Sequence, residues 1–166
     1  MDLNGDGFID ILSGSYSRNG DGVAKMAGLF QVLWGSKDGF KEAQALKGSD
    51  GEPLIIGSPG DWTDKNITDR ICTRPTAVDW DGDGKLDLVA GNFTGDFYLF
   101  KGQGAGVFDP KAEKLLADDG KPLHVNGHGD PMVIDWDGDG DLDILSGSSN
   151  GGIFLAENIG TRAAPR

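Results

Sequence analysis

Acidic side chains stand at alternate positions in one short stretch of the chain, and this spacing is typical of a site for a hard metal ion. In VIDWDGDGDLDILSG, residues 133–147, five aspartates fall within nine residues between two apolar runs. Oxygen ligands at positions 1, 3, 5 and 9, with a glycine at position 6 for the sharp turn, form a cage around a cation. Calcium fits such a cage best, because it accepts about six to eight oxygens in flexible geometry, whereas zinc prefers nitrogen and sulfur.

The same pattern occurs three times, as DLNGDGFIDILSG (2–14), DWDGDGKLDLVAG (79–91) and DWDGDGDLDILSG (135–147). Three copies in register favour three Ca²⁺ sites over three bare Asp/Gly turns on the surface. The backbone carbonyl at position 7 is a further expected ligand. The expected side-chain ligands are Asp2, Asn4, Asp6 and Asp10 in the first loop, Asp79, Asp81, Asp83 and Asp87 in the second, and Asp135, Asp137, Asp139 and Asp143 in the third.

Two details of these loops qualify the metal prediction. Position 3 of the first loop is Asn4, a neutral oxygen ligand, so we expect that site to be weaker than the other two. An EF-hand requires an acidic residue at position 12, but this position is Ser13, Ala90 and Ser146 here. Each of these residues lies in an apolar stretch that reads as a strand, so the loops are not EF-hands.

Short strands must hold the acidic loops in place. Around the second loop we predict four of them, at TAVDW (76–80), LDLVAGNF (86–93), GDFYLFK (95–101) and the more polar VFDPKAEKLL (107–116). Repetition of such a unit, at 77 and then 56 residues, predicts an all-β protein made of four-stranded antiparallel meanders, the blades of a β-propeller. The predicted boundaries are blade 1 at about 1–56, an insert at about 57–74, blade 2 at about 75–125 and a partial blade 3 at about 126–166.

The composition limits the partners. The formal net charge is -12, from 27 acidic and 15 basic residues, so a nucleic acid or an anionic membrane surface is not expected as a partner. Membrane insertion is not expected either, because no apolar run approaches the ~18 residues needed to span a bilayer. The 28 glycines are in keeping with many tight turns between short strands.

The three acidic loops, together with LDLVAGN and YLF behind the second, resemble FG-GAP/VCBS-type repeats, the calcium-loop propeller repeats that also form the head of integrin α subunits. The resemblance covers nearly the whole chain apart from two inserts, and it is specific for the fold. It implies a secreted, periplasmic or cell-surface location and a role in recognition or adhesion, with a glycan or protein as the ligand. Two alternatives stay open: the propeller part of a secreted lyase or hydrolase that acts on polysaccharide, and a structural spacer in a cell-surface protein.

About three blades do not close a ring, since propellers have roughly four to eight. The first unit begins inside its acidic loop, and the third ends just past its third predicted strand. We therefore expect either the remaining blades of a longer chain or self-association of copies to complete the propeller.

The ligand face is expected at the end of the strands opposite the acidic loops. The first interval between motifs is 21 residues longer than the second, and the extra residues fall in connections on that opposite face. Loops displayed by a rigid scaffold commonly carry binding sites. The candidate ligand-binding residues are Trp62, Arg70, Arg74, His128 and Asp130.

A tryptophan that stacks on a sugar ring and arginines that pair with carboxylates suit a glycan or an acidic ligand. His128 and Asp130 also have the chemistry of a general base and the group that orients it, which an enzyme acting on acidic polysaccharide would need. No G-x-S-x-G, H-E-x-x-H or P-loop motif occurs in the sequence, so an enzymatic role is the less favoured alternative and no catalytic residue is assigned.

Overall fold

The computed structural model describes residues 1–16, 28–56 and 70–166, and all regular structure in these ranges is β-strand. The first sheet consists of β1 (Ile11–Gly14), β2 (Phe30–Leu33) and β3 (Gln44–Ala45), in that order. The second consists of β4 (Arg74–Val78), β5 (Asp87–Gly91), β6 (Phe97–Phe100) and β9 (Glu113–Lys114), and the third of β10 (Asp130–Ile134), β11 (Asp143–Gly147) and β12 (Ile153–Ala156). A separate hairpin of β7 (Gly102–Gly104) and β8 (Val107–Phe108) follows β6.

The second sheet is a four-stranded antiparallel meander, as the sequence predicts for a blade. Its second and third strands lie within the predicted stretches, and its first overlaps the predicted 76–80 but begins two residues earlier, at Arg74. The predicted fourth strand is divided, because Val107–Phe108 turns back onto Gly102–Gly104 and only Glu113–Lys114 reaches the edge of the sheet. The first and third sheets repeat the antiparallel pattern with three strands each among the described residues, so the prediction of an all-β protein built from propeller-type blades is confirmed.

The second sheet is covered on both sides, which explains why its strands are apolar without alternation. Leu88, Ala90 and Phe100 belong to a buried cluster that includes Phe30 and Val32 of the first sheet. On the other side, Val89, Phe97 and Leu99 belong to a second cluster that includes Ile144 of the third sheet. Across the first of these interfaces the rings of Phe30 and Phe100 meet edge to face, with centroids 5.4 Å apart.

Two glycines allow the sheets to approach this closely. A side chain at Gly14 would overlap the backbone carbonyl of Thr73, and one at Gly91 would overlap that of Gly129. Thr73 and Gly129 each immediately precede the first strand of the next sheet. Their N–H groups donate to Ser15 and Asn92 carbonyls at 3.0 Å, so the chain entering each new sheet is bonded to the sheet before it.

The strand register separates two ends of each sheet. The second acidic loop joins β4 to β5 at the end where Val78 pairs with Asp87, whereas Arg74 pairs with Gly91 at the other end. In the third sheet Ile134 pairs with Asp143 beside the third acidic loop, and Asp130 pairs with Gly147 at the far end. Arg74 and Asp130 therefore lie at the strand ends opposite the acidic loops.

Candidate functional site

Each acidic loop is shaped by its own first aspartate. In each loop the glycine at position 6 donates its N–H to Oδ2 of the aspartate at position 1. The bonds run from Gly7 to Asp2 at 2.8 Å, from Gly84 to Asp79 at 3.2 Å and from Gly140 to Asp135 at 3.1 Å. The backbone φ angles of these glycines are +88°, +85° and +98°, a region that side chains with a Cβ rarely adopt. Glycine at position 6 thus turns the chain back around the first carboxylate.

The aspartate at position 9 has a second role that the spacing of the motif did not show. Asp10, Asp87 and Asp143 are 3%, 2% and 1% exposed. One oxygen of each accepts the N–H of the residue at position 2 of its own loop. These donors are Leu3, Trp80 and Trp136, at 2.8, 3.1 and 2.8 Å. The other oxygen accepts the backbone N–H of Gly35, Gly102 or Asn158, which lie just beyond β2, β6 and β12, at 2.8, 2.7 and 2.8 Å.

These carboxylates therefore fasten each loop to the strand beside the one that the loop leads into, since β2, β6 and β12 neighbour β1, β5 and β11. Burial raises the pKa of Asp87, against the hydrogen bond from Gly102 and the charge of Lys101. Because an ionised carboxylate oxygen accepts more than one partner, this fastening role leaves the position-9 aspartates able to contribute to a metal site.

Two of the three predicted metal sites bring three acidic side chains together. Ligand oxygens of Asp79, Asp81 and Asp83 lie within 4.8 Å of one another, and so do those of Asp135, Asp137 and Asp143. Oxygens bound to one Ca²⁺ at about 2.3–2.6 Å stand up to about 5 Å apart, so either group can hold a single ion.

Buried oxygens in these loops also fit a cation. Asp79 Oδ1 and Asp141 Oδ1 are buried with no hydrogen-bond partner among the described residues. An unpaired buried carboxylate oxygen is costly, and a calcium ion would satisfy it. The donor set consists of oxygens, as a hard cation prefers.

The first loop differs from the other two. Among the described residues it provides no comparable group of three acidic side chains. The Asn4 amide nitrogen donates to Asp6 Oδ2 at 3.1 Å, so a donor stands where the other loops have a carboxylate. The prediction that Asn4 weakens this site remains a prediction.

Protein cations surround the second loop. Lys85 Nζ lies 2.9 Å from Asp83 Oδ2, and Lys101 Nζ lies 2.7 Å from Asp81 Oδ2 and 3.9 Å from Asp87 Oδ2. Arg162 donates from Nη2 to the backbone carbonyl of Asp79 at 2.8 Å. The hydrogen bonds from Lys85 lower the pKa of Asp83.

The third loop has the opposite electrostatics. Position 7 is Asp141 here, where the second loop has Lys85. Burial raises the pKa of Asp141, and the charges of Asp139, Asp143, Asp137 and Asp135 raise it further. In the part of the chain that the structure describes, none of these five aspartates forms an ion pair.

The candidate ligand-binding residues are only partly brought together. Arg74 Nε lies 3.3 Å from Asp130 Oδ2, with the two side chains 37% and 66% exposed, so this pair bridges the first strands of the second and third sheets. His128 packs edge to face on Phe93, with ring centroids 4.7 Å apart, and has a φ of +55°. Arg70 is only 7% exposed and lies inside the fold. Trp62 lies outside the described residues.

A cleft of about 400 Å³ adjoins Arg74 at this end of the first and second sheets. Its lining includes Ser13, Tyr16 and Cys72. Tyr16 is 71% exposed, whereas Cys72 is buried, and burial raises the pKa of its thiol against the charge of Arg74. Neither Tyr16 nor Cys72 was recognised from the sequence, because only the packing of the two sheets brings them beside Arg74.

The comparisons with known proteins concern the repeat unit. Residues 79–146 match the family model described as an FG-GAP-like repeat, a span that runs from the second acidic loop through the third and into β11. The chain matches none of the curated proteins or solved structures with which it was compared. The described residues contain no helix of the length and apolarity needed to cross a membrane. The predicted kinship is thus confirmed for residues 79–146, which are an FG-GAP-like repeat of the propeller type.

Proposed function

We propose that the protein is a calcium-stabilised β-propeller module that recognises a glycan or protein ligand outside the cytoplasm. The observation that carries the proposal is the pair of acidic groups, Asp79, Asp81 and Asp83 in one loop and Asp135, Asp137 and Asp143 in the next, each compact enough for one ion. The repeat family supports the same conclusion for the fold that holds them.

Calcium would act on stability. An ion held by the folded loop and scarcely by the unfolded chain stabilises the fold by mass action. It would also offset part of the formal charge of -12, much of which is concentrated in these loops. Extracellular modules typically bind calcium with a Kd of about 10⁻⁴–10⁻³ M, which is why we assign the module to a compartment with millimolar calcium.

Ligand recognition would use the strand ends opposite the acidic loops. The Arg74–Asp130 pair is exposed enough for a ligand carboxylate or hydroxyl to exchange with its partners. The adjoining cleft and the exposed ring of Tyr16 add a surface on which a sugar face can stack. Since the metal loops lie at the other end of the strands, the two functions are separable by mutation.

The test is a binding screen of the whole protein against acidic and neutral glycans in millimolar calcium, repeated with Arg74→Ala. We expect Arg74→Ala to weaken binding by roughly tenfold, as loss of a charge-assisted hydrogen bond would, with the calcium-dependent melting temperature unchanged. Lys114→Ala, which removes a different ion pair from the second sheet, is the matched control.

The screen also separates the alternatives. Turnover of an acidic polysaccharide would show that the protein is an enzyme rather than a recognition module. Absence of both binding and turnover would contradict recognition and leave the structural spacer.

A further inference from the structure

One carboxylate of the third acidic loop has no role in the predicted calcium cage. Asp141 stands at position 7, where only the backbone carbonyl is an expected ligand. The residue is 5% exposed, although the neighbouring Asp139 and Gly140 are exposed, and its Oδ1 has no hydrogen-bond partner among the described residues. A buried carboxylate oxygen without a partner is costly, and a bound cation would offset that cost.

Asp141 is turned toward the other carboxylates of its loop. Besides burial, the charges of Asp139, Asp143, Asp137 and Asp135 raise its pKa, and among the four charges that of Asp139 contributes most. The N–H of Asp141 also donates to Asp139 Oδ1, at 3.0 Å. The compact group described above for one ion consists of Asp135, Asp137 and Asp143. The carboxylates at positions 5 and 7 therefore form a neighbouring pair outside that group.

The second loop shows a cation at the corresponding place. Its backbone makes the same bond between positions 7 and 5, from the Lys85 N–H to Asp83 Oδ1 at 2.8 Å. The side-chain ammonium of Lys85 lies 2.9 Å from the other oxygen, Asp83 Oδ2. The position-5 carboxylate of the second loop is thus neutralised by a cation that position 7 itself supplies. In the third loop position 7 supplies a second carboxylate instead.

The formal charges of the two loops differ accordingly. The second loop has four aspartates and two paired lysines, Lys85 and Lys101, so its charge of -2 is cancelled by one Ca²⁺. The third loop has five aspartates and no ion pair among the residues that the structure describes, so its charge is -5. One Ca²⁺ would leave -3 on a short loop, whereas two would leave -1. Carboxylates held this close together do not all ionise readily without such compensation.

We propose that the third loop binds a second Ca²⁺, on the carboxylates of Asp139 and Asp141, beside the ion expected at Asp135, Asp137 and Asp143. This second ion takes the place that the Lys85 ammonium occupies at the second loop. A hard divalent cation is the ligand that fits, because all of the donors are oxygens. Since only two carboxylates hold it, we expect it to contribute less to stability than the first ion. The inference rests on the proposed calcium binding by the acidic loops and adds one ion to it.

The test exchanges the residues at position 7. Asp141→Lys gives the third loop the ammonium that the second loop already has, and Lys85→Asp gives the second loop the pair of carboxylates of the third. Equilibrium dialysis of the whole protein at about 10 mM calcium, above the Kd of about 10⁻⁴–10⁻³ M typical of extracellular modules, counts the bound ions. We expect Asp141→Lys to bind one Ca²⁺ fewer than the unmodified protein and Lys85→Asp to bind one more. Asp38→Lys, the same change of charge at an exposed residue after β2, should leave the count unchanged.

Melting in EDTA shows whether the variants are folded. Asp141→Lys should melt at a higher temperature than the unmodified protein there, because it relieves the repulsion among the carboxylates. Asp141→Asn, which keeps the shape of the side chain, provides the same count if the lysine variant does not fold. An unchanged number of bound ions in either exchange would overturn the inference, because Asp141 would then serve the first ion alone. If the unmodified protein binds no calcium, the proposed function is contradicted together with this inference.

Discussion

The second and third acidic loops are built from the same motif, yet they balance their charge in different ways. Lys85 and Lys101 pair with aspartates of the second loop, and Arg162 bonds to its backbone. The third loop has an aspartate at the position of Lys85, and its five aspartates have no ion pair among the described residues. The comparison teaches that a shared ligand spacing need not mean a shared dependence on metal, and we expect calcium to matter most at the third loop.

The largest expected effect comes from the feature that the two loops share. Asp87→Ala or Asp143→Ala would leave two backbone N–H groups without their buried acceptor, and we expect each to cost about 3 kcal/mol of unfolding free energy. The loss should persist in EDTA, because these hydrogen bonds do not involve the metal. Denaturant unfolding measures it, and exposed Asp139→Ala is the control that should be nearly neutral in EDTA. A loss seen only in calcium would contradict the fastening role of position 9.

The next-largest expected effect is a difference in calcium-dependent stabilisation between the second and third acidic loops. At a calcium concentration about 100-fold above Kd, a single site contributes about 2.7 kcal/mol. We expect Asp137→Ala to remove most of the calcium-dependent stabilisation and Asp81→Ala to remove less, since Lys101 already neutralises Asp81. Melting in calcium and in EDTA compares the two variants. Equal losses would show that the lysines do not distinguish the loops.

A smaller effect is expected at Lys101, on the calcium affinity of the second loop. Lys101→Met should raise the calcium affinity of the second loop by roughly fivefold, because the ion no longer competes with an ammonium group for Asp81; an exposed pair of this kind contributes about 1 kcal/mol. Titration calorimetry measures this change in calcium affinity. Lys114→Met, at the other end of the same sheet, should leave the affinity as it was, and a similar rise in that control would point to a general charge effect.

The smallest expected effect lies away from both loops, at Asp96. Burial raises the pKa of this carboxyl, but the hydrogen bonds from Lys114 and His124, at 2.8 and 2.9 Å, outweigh it and lower the pKa overall. A carboxyl with a depressed folded-state pKa stabilises the fold above its unfolded pKa and loses that contribution as the pH falls through the folded value.

Asp96→Asn should therefore cost about 1 kcal/mol at neutral pH, after allowance for solvent screening, and the cost should vanish in acid. Unfolding free energies between neutral and acidic pH, measured in EDTA, test this. A cost that is independent of pH would assign it to packing rather than to charge.

The sequence was sufficient where the structure depends on local spacing. The turn glycines at position 6, the first three strands of the second blade and the grouping of Asp79, Asp81 and Asp83 all follow from residues close together in the chain. Contacts that depend on the packing of the sheets could not be predicted from the sequence. Lys101 reaches Asp81 from 20 residues away and Arg162 reaches Asp79 from 83 residues away, because strand register and sheet stacking bring them there.

The burial of Arg70 likewise depends on packing, and nothing in its neighbours in the sequence indicates it. The contact of Arg162 with the second loop had no such signal either, because the residue one period of 56 earlier is Gly106.

The central claim is that the acidic loops hold calcium, and the third loop above all. The most direct test is the melting temperature of the protein and of Asp137→Ala, each in millimolar calcium and in excess EDTA. We predict that calcium raises the melting temperature of the protein by on the order of 5–10 °C and that of Asp137→Ala by much less. The same melting temperature with and without calcium for the unmodified protein would contradict the claim.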